Sequence, residues 1–422
     1  MVSCHTGDGG SRGDLPESRA QMNIAEVIGG HADDQIALID RDDRVDFGTL
    51  RGRVAAMQID LQARGVGIDT TVALAAGNDV AFVVSTLAVL GPGGIVMLHN
   101  PGCPTSELAR KLAVASPSML LVGHAGRLHL DDPAVGTPTV DLIAMASSAA
   151  AAHVSGEAPS APVIVDRPDD APAFYLATSG VSGAAKVAVL SHHNLSWIHE
   201  ALQRIDPPLT PDTVTLGILP FTHIFGLNVV LLASLEAGAA IVLQQHFDAE
   251  ESLRLVREHG VTTLTGAPPM WQRWLDADAP NDSLATVDFA ASGAAALPVE
   301  LFEGVKNRFG VEIAQGYGLT ETSPVSNVNL PDLKPDGSKL ALPSRRMGSV
   351  GQMLNGIAVR VTDATTEKPL PLDQSGMIWL KGANIFHGYL DLPEKTAEVK
   401  QEGWFCTGDI GRMDADGFLY IE

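Results

Sequence analysis

Short apolar runs that stop at Gly, Asn, Asp or Pro, separated by longer stretches of helical period, recur along most of this chain. No other feature constrains its fold as strongly. Thr71-Val72-Ala73-Leu74-Ala75-Ala76 is ended by Gly77-Asn78-Asp79, and Gly94-Ile95-Val96-Met97-Leu98 by His99-Asn100-Pro101. Further on, Asp248-Ala249-Glu250-Glu251 has the spacing of a helix start, with a carboxylate placed to accept first-turn amides. Leu253 and Val256 then share a face, and Gly260 supplies a stop. A strand at Val261-Thr262-Thr263-Leu264 is predicted next. The unit recurs as a helix near 298–309, a stop at Gly310, and a strand Val311-Glu312-Ile313-Ala314 that runs into Gln315-Gly316-Tyr317-Gly318. Strands alternating with helices imply a largely parallel sheet. Beyond about Pro343 the texture changes to short strands and turns, such as Ala358-Val359-Arg360-Val361 and Met377-Ile378-Trp379-Leu380. The expected class is α/β: two doubly wound α/β lobes at 22–170 and 171–342, then a smaller β-rich, barrel-like unit at 343–422. Residues 1–21 read as a loose tail, and the Ala, Ser and Pro-rich stretch 145–171 as a linker or surface excursion.

A chain of 422 residues exceeds one ordinary core, which agrees with more than one lobe. Its formal net charge of -22 argues against nonspecific binding to nucleic acid or anionic membrane, both of which need a basic face. Cys4, Cys103 and Cys406 are far apart and form no CxxC pair, so a zinc site or disulfide framework is not expected and a reducing cytoplasm fits. The N-terminus lacks the apolar run of a signal peptide, and no apolar stretch reaches the roughly 20 residues of a membrane span.

Three segments carry chemistry. Thr178-Ser179-Gly180-Val181-Ser182-Gly183-Ala184-Ala185-Lys186 lies between two apolar runs. It offers flexible amides, hydroxyls and a cation, which are the groups a polyphosphate needs. Its spacing is not that of a Walker A loop. Gly316-Tyr317-Gly318-Leu319-Thr320-Glu321 sits at the end of a predicted strand, where open α/β sheets bind ligands. There a Tyr between glycines can present its face to a flat base, and Glu321 can hold Mg²⁺ directly or through water. Gly403-Trp404-Phe405-Cys406-Thr407-Gly408-Asp409 offers a carboxylate suited to vicinal hydroxyls. Taken singly, each has a plainer reading: a Gly/Ser hairpin with a surface lysine, an aromatic turn, and a turn-forming Asp. His192, His193, His199 and His223 show no metal-ligand spacing, so no metal is assigned to them.

Together, and in this order, the three segments resemble the adenylate-forming superfamily, which includes acyl-CoA synthetases and 4-coumarate–CoA ligases. Pro220-Phe221-Thr222-His223-Ile224-Phe225-Gly226 is similar to that family's aromatic gate to the acyl pocket. Ser292-Gly293-Ala294-Ala295-Ala296-Leu297 is similar to the stretch lying against adenine. The resemblance implies ATP-dependent activation of a carboxylic acid to acyl-AMP, followed by transfer to coenzyme A. It puts Thr178, Ser179, Gly180, Ser182, Gly183 and Lys186 on the phosphates. Tyr317 lies against adenine, with Gln315, Gly316, Gly318, Gly293, Ala294 and Ala295 around it. Thr320 meets the α-phosphate, Glu321 takes Mg²⁺ and Asp409 takes the ribose. Thr320, Glu321, Lys186 and His223 are the implied catalytic groups, and His223, Phe225, Val229, Gly293 and Gly318 the implied acid site. The expected acid is fatty or aryl, since Phe225-Gly226-Leu227-Asn228-Val229-Val230 carries no acidic group for an ammonium. Gly293, Ala294 and Gly318 are expected to leave room beside the Phe225 ring.

Val181, Ala185 and Val187 depart from the family's loop, where Ser or Thr, Pro and Gly are usual, and Ala296 replaces a common Pro. The resemblance also implies that the chain stops before a hinge and a small C-terminal domain carrying a catalytic lysine, so weak activity is expected. The alternatives are a nucleotide-binding protein without catalysis, and an acyl-AMP ligase that delivers to a carrier protein.

Overall fold

A computed structural model describes residues 22–178, 186–330 and 345–422. Two sheets organise them. In the first, the strands run in the order Gly388–Tyr389, Val187–Ser191, Pro172–Ala177, Ile95–Leu98, Thr71–Ala75, Met119–Val122, Thr139–Asp141. From Pro172–Ala177 onward neighbours are parallel, while the first three strands pair antiparallel. The parallel strands are apolar on both faces because helices cover them: Ile95–Leu98 and Met119–Val122 are wholly buried.

The second sheet has a parallel centre of Ala240–Leu243, Val214–Gly217, Thr263–Gly266, Phe289–Ser292 and Ile313–Tyr317. At one side Ile36–Asp40 and Asp43–Asp46 close it. At the other side antiparallel strands continue it through Asn327–Asn329, Gly351–Met353, Phe418–Ile421, Trp404–Met413, Gly376–Lys381 and Ala358–Thr362. The β-rich region thus continues from the second sheet, its strands pairing onward from Ile313–Tyr317.

Sheet membership also crosses the boundary expected at 170/171. Strands Ile36–Asp40 and Asp43–Asp46 belong to the second sheet, and Pro172–Ala177 and Val187–Ser191 to the first. Pairing partners are chosen in space, and no local signal in a strand names them.

Helix Ala249–His259 follows the expected rules. Asp248 accepts from Glu251 N, Leu253 and Val256 are buried, and Gly260 adopts φ +62. The next strand begins later than expected, at Thr263, because Val261 N still donates to Val256 O as part of the helix cap. Likewise Ile313–Tyr317 starts past Val311, so Gln315, Gly316 and Tyr317 are strand residues. The expected linker 145–171 is partly wrong. Leu142–Val154 is a helix, with Asp141 accepting from Ile143 N and Ala144 N. Its alanines favour helix, and Leu142, Met145 and Ala149 form a buried stripe facing helix Phe47–Ala63.

The two sheets meet in front of the site. Asn78, at the end of strand Thr71–Ala75, donates to Gly217 O (3.0 Å) and Leu219 O (2.8 Å) and accepts from Phe221 N (2.9 Å). Its amide thus saturates the start of the Pro220–Phe225 segment and seats it against the first lobe. Among the described residues no helix is long and apolar enough to cross a membrane.

Candidate active site

The carboxyl ends of Phe289–Ser292 and Ile313–Tyr317 open into a cleft of about 330 Å³. The turn after the second strand, the Thr178–Lys186 hairpin ends, and the His223–Phe225 segment wall it. This is the crest of a parallel sheet, where strands end and first-turn amides converge.

Thr178 N donates to Lys186 O (2.9 Å), so the two residues close the neck of the hairpin, and both face the cleft. Ser179, Gly180, Val181, Ser182, Gly183, Ala184 and Ala185 lie outside the described residues. Val187 is a fully buried first strand residue and belongs to the core, so its departure from Gly is one of packing and not of loop chemistry.

Thr320–Thr322 form one tight turn, and Ser323 follows it at φ +64, a left-handed conformation that costs a residue with a side chain about 1 kcal/mol or more. Neighbouring chain holds this turn. Phe386 N donates to Glu321 O (2.9 Å), Asn384 Nδ2 to Thr322 O (2.9 Å), and Asn228 Nδ2 to Ser323 O (2.7 Å). The result is that Glu321, 8 % exposed as a residue, is buried yet lines the cleft. Tyr389 donates its hydroxyl to Glu321 Oε1 at 2.8 Å, and Lys186 Nζ lies 5.0 Å from the centre of the same ring. Burial first, and the Glu321 charge second, push the Tyr389 phenol above its ordinary range, so it stays a donor. Tyr389 was not legible as a site residue. It lies 68 positions from Glu321, and only the pairing of Gly388–Tyr389 with Val187–Ser191 brings it here.

Tyr317 lines the cleft and donates its hydroxyl to Asp409 Oδ2 (2.6 Å). Burial, then the Asp409 bond, raises its pKa, so the phenol keeps its proton. The expected base-stacking and sugar-binding residues are therefore in direct contact. Asp409 is a strand residue within Trp404–Met413, and not the turn former of the plainer reading.

His223 Nδ1 accepts from Phe225 N (3.2 Å), which leaves Nε2 as the remaining ring nitrogen. Its surroundings desolvate the ring and lower its pKa, favouring neutral imidazole. Phe225 begins a π-helical segment, Phe225–Leu232, of a kind that often marks functional sites. Its ring packs directly on Gly293: a Cβ there would meet Phe225 Cε1 at 2.8 Å. A Cβ on Gly318 would meet Pro324 O at 1.7 Å. Protein atoms thus occupy the space that a Cβ would take at either glycine, while both glycines still line the cleft beside Phe225. Ala294, at φ +66, remains on the cleft wall.

Not every expected residue faces this space. Ala295 is exposed, and Gln315 lines a small separate crevice with Asn329 and Arg345. Val229, one turn beyond Phe225, lines a second cavity of about 280 Å³ with Leu202, Ile205, Pro207, Thr215 and Ala291. Phe225 thus faces the cleft while Val229, on the same helix, faces this second hollow, whose wall mixes apolar side chains with Thr213, Thr263, Thr265 and Asp288. No cluster of three or more His, Cys, Asp or Glu suited to a metal occurs among the described residues. Glu321 is a single carboxylate with one oxygen free of the Tyr389 bond, which fits a hydrated Mg²⁺ shared with a phosphate ligand better than an all-protein cage.

Residues 25–390 match the model of a family described as AMP-binding enzyme. The chain is 31% identical over 391 residues to 4-coumarate–CoA ligase 5 of Oryza sativa subsp. japonica, covering 89% of this chain and 69% of that protein. It is 32% identical over 254 residues to a long-chain-fatty-acid–CoA ligase of Bacillus subtilis, covering 58% and 42%. The ATP-bound structure of MatB from Rhodopseudomonas palustris superposes with a TM-score of 0.83 at 30% identity, covering 95% of this chain and 78% of that one. The motif order, the crest cleft they build and these similarities agree: the chain belongs to the AMP-binding enzyme family of adenylate-forming acyl- and aryl-CoA ligases.

Proposed function

We propose that this protein activates an apolar carboxylic acid with ATP and passes the acyl group to coenzyme A. A carboxylate oxygen attacks the α-phosphorus, the bond to pyrophosphate breaks, and an acyl-AMP anhydride forms. The thiol sulfur then attacks the acyl carbon and AMP leaves. The first step joins two anions, so the protein's part is alignment and charge neutralisation. Lys186 and Thr178 at the hairpin neck take phosphate oxygens, Tyr317 lies against the base, and Asp409 takes the sugar hydroxyls. Thr320 meets the α-phosphate, and His223 orients the incoming carboxylate from the opposite wall. Mg²⁺, when bound at Glu321, neutralises phosphate charge, and Tyr389 fixes the carboxylate that would hold it.

The observation that carries this reading is the convergence of Lys186, Glu321, Tyr317 and His223 on one cleft at the strand ends. The test is acid-dependent release of pyrophosphate from ATP, followed by thioester formation on adding coenzyme A. Release of pyrophosphate without any acid, or none with any acid of a fatty, aryl and amino acid panel, would sink it. Thioester formation on a carrier-protein phosphopantetheine, but not on coenzyme A, would correct the acceptor.

The hollow beside Val229 supports a fatty or extended aryl acid, with Phe225 facing the cleft on the same helix. Phe225→Ala should open the cleft toward the hollow and favour longer acids by about fourfold per methylene, from roughly 0.8 kcal/mol of burial each. An unchanged chain-length profile would show that the acid does not pass this ring. Tyr389→Phe removes one hydrogen bond to Glu321 and should lower kcat by about 3- to 20-fold while raising the Mg²⁺ needed for half-saturation. A fall in kcat with an unaltered Mg²⁺ titration would detach Tyr389 from Glu321.

A further inference from the structure

The π-helical segment Phe225–Leu232 carries Phe225 on the cleft wall and, within the same turn, the fully buried Asn228. Asn228 has three side-chain hydrogen bonds, two to helix His192–Leu202 and one to the residue after the Glu321 turn. Its Nδ2 donates to Ser323 O (2.7 Å) and Leu195 O (3.3 Å), so its Oδ1 is the acceptor that faces His199 Nε2 at 2.8 Å. Two carbonyl partners leave the amide orientation unambiguous, and His199 must therefore donate from Nε2. The other ring nitrogen, Nδ1, faces the Glu236 carboxylate, and because a carboxylate only accepts, the two hydrogen bonds together require a proton on each ring nitrogen. His199 is 2 % exposed, whereas the Glu236 side chain is 42 % exposed. A chain of hydrogen bonds thus runs from the surface through His199 and Asn228 to the carbonyl of Ser323.

Ser323 is the left-handed residue directly after the Glu321 turn. A strained turn keeps its shape only where its surroundings over-determine it. Two of its carbonyls are held by the 384–386 segment, but the bond at Ser323 comes from the helix that also forms the acid wall. We propose that Asn228, oriented by His199 and Glu236, is a positioning residue that sets the Glu321 turn in register with the Phe225 helix, so that occupancy of the acid pocket and placement of the Glu321 carboxylate are coupled. The coupling rests on the reading of Glu321 and Phe225 given above, while the positioning itself does not. Asn228 and His199 touch no reactant. They act through Ser323, and through the helix whose Asn228 carbonyl also accepts from Ala233 N.

The experiment compares Asn228→Ala, His199→Leu and the conservative His199→Gln, whose amide can still donate toward Asn228. Backbone hydrogen exchange is read in a peptide covering 319–325 and in the remote helix Ala249–His259. Loss of the Ser323 bond should speed exchange of the turn by about tenfold in Asn228→Ala and His199→Leu, with the remote helix unchanged and His199→Gln near wild type. A saturating acid should slow exchange of the turn in the wild-type protein and lose that effect in Asn228→Ala. Acid-dependent pyrophosphate release should show a raised Mg²⁺ half-saturation in the same two variants. Wild-type exchange in the turn, or uniform acceleration across the chain, overturns the proposal. If Asn228→Ala does not fold, the surface substitution Glu236→Gln carries the test with a local acceleration of about threefold, and no local change there is equally decisive against it. A protein with no acid-dependent release, yet with the predicted local exchange, would refute the functional reading and keep the positioning role.

Discussion

Glu321→Gln is expected to lower acid-dependent pyrophosphate release on the order of 10²- to 10³-fold, the size of effect seen when a group aimed at transition-state charge is lost. The substitution conserves shape and can still accept the Tyr389 hydroxyl, so the turn, held by Phe386 N, Asn384 and Asn228, should persist. What disappears is the carboxylate of a buried residue on the wall of the cleft. A carboxylate in so desolvated a place exerts a larger field than one in water, and its removal is felt by whatever cation sits there. The half-saturating Mg²⁺ concentration should rise in parallel. Asp409→Asn is the control. It disturbs the contact with Tyr317, and should weaken binding of ATP and AMP with little change in metal dependence. Superimposable Mg²⁺ titrations for the two variants would refute the division of labour between these carboxylates.

Acid should destabilise the protein through two histidines far from the cleft chemistry. His192 is fully buried and its Nδ1 accepts from Ile24 N (3.0 Å), which requires a neutral ring. His99 is 3 % exposed. Burial, followed by Lys111 and His129, lowers the His99 pKa to about 3, and burial followed by Arg167 does the same for His192. Both values lie below the unfolded one near 6.5, so the unfolded chain binds the extra protons. The stability from these groups is complete above about pH 6.5 and is lost as pH falls toward 3. Between pH 7 and pH 5 each histidine costs roughly 2 kcal/mol by linkage. Asp79 works against them: burial raises its pKa to about 6, so protonation favours the folded state and offsets about 1 kcal/mol over the same interval. The net fall from these three groups is about 3 kcal/mol. Urea unfolding at the two pH values measures it. In a His99→Leu, His192→Asn variant, where Asn can still accept from Ile24 N, the fall should shrink by most of that amount, and His223 and His387, whose pKa values burial also lowers, carry what remains. An equal fall in variant and wild type would assign acid sensitivity to other groups.

Much of this molecule follows from short-range rules. Capping by Asp248, the stop at Gly260 and the apolar runs at 71–75 and 95–98 are decided by a few neighbouring residues, and each element formed where those residues place it. Helix Leu142–Val154 shows the same rule overlooked. Its Asp cap and its buried stripe at Leu142, Met145 and Ala149 are local, but an alanine-rich composition hid them. The order of the motifs around Lys186, Glu321 and Asp409 was also legible, because each occupies one continuous stretch.

The tertiary structure alone decided which groups meet. Tyr389 reaches Glu321 and Lys186 only because a two-residue strand pairs with Val187–Ser191. Tyr317 meets Asp409 because the antiparallel strands extend the same sheet that carries the cleft. The π-helical turn at Phe225 and the left-handed Ser323 are not the intrinsic choice of their residues. Both are conformations that a chain adopts only where surrounding packing and hydrogen bonds outweigh local preference, here Gly293 beneath the ring and Asn228, His199 and Asn384 around the turn. Sequence spacing specifies where a strand or helix begins. Contacts between residues dozens of positions apart depend on sheet order, and that is set by the burial of whole faces and not by any segment alone.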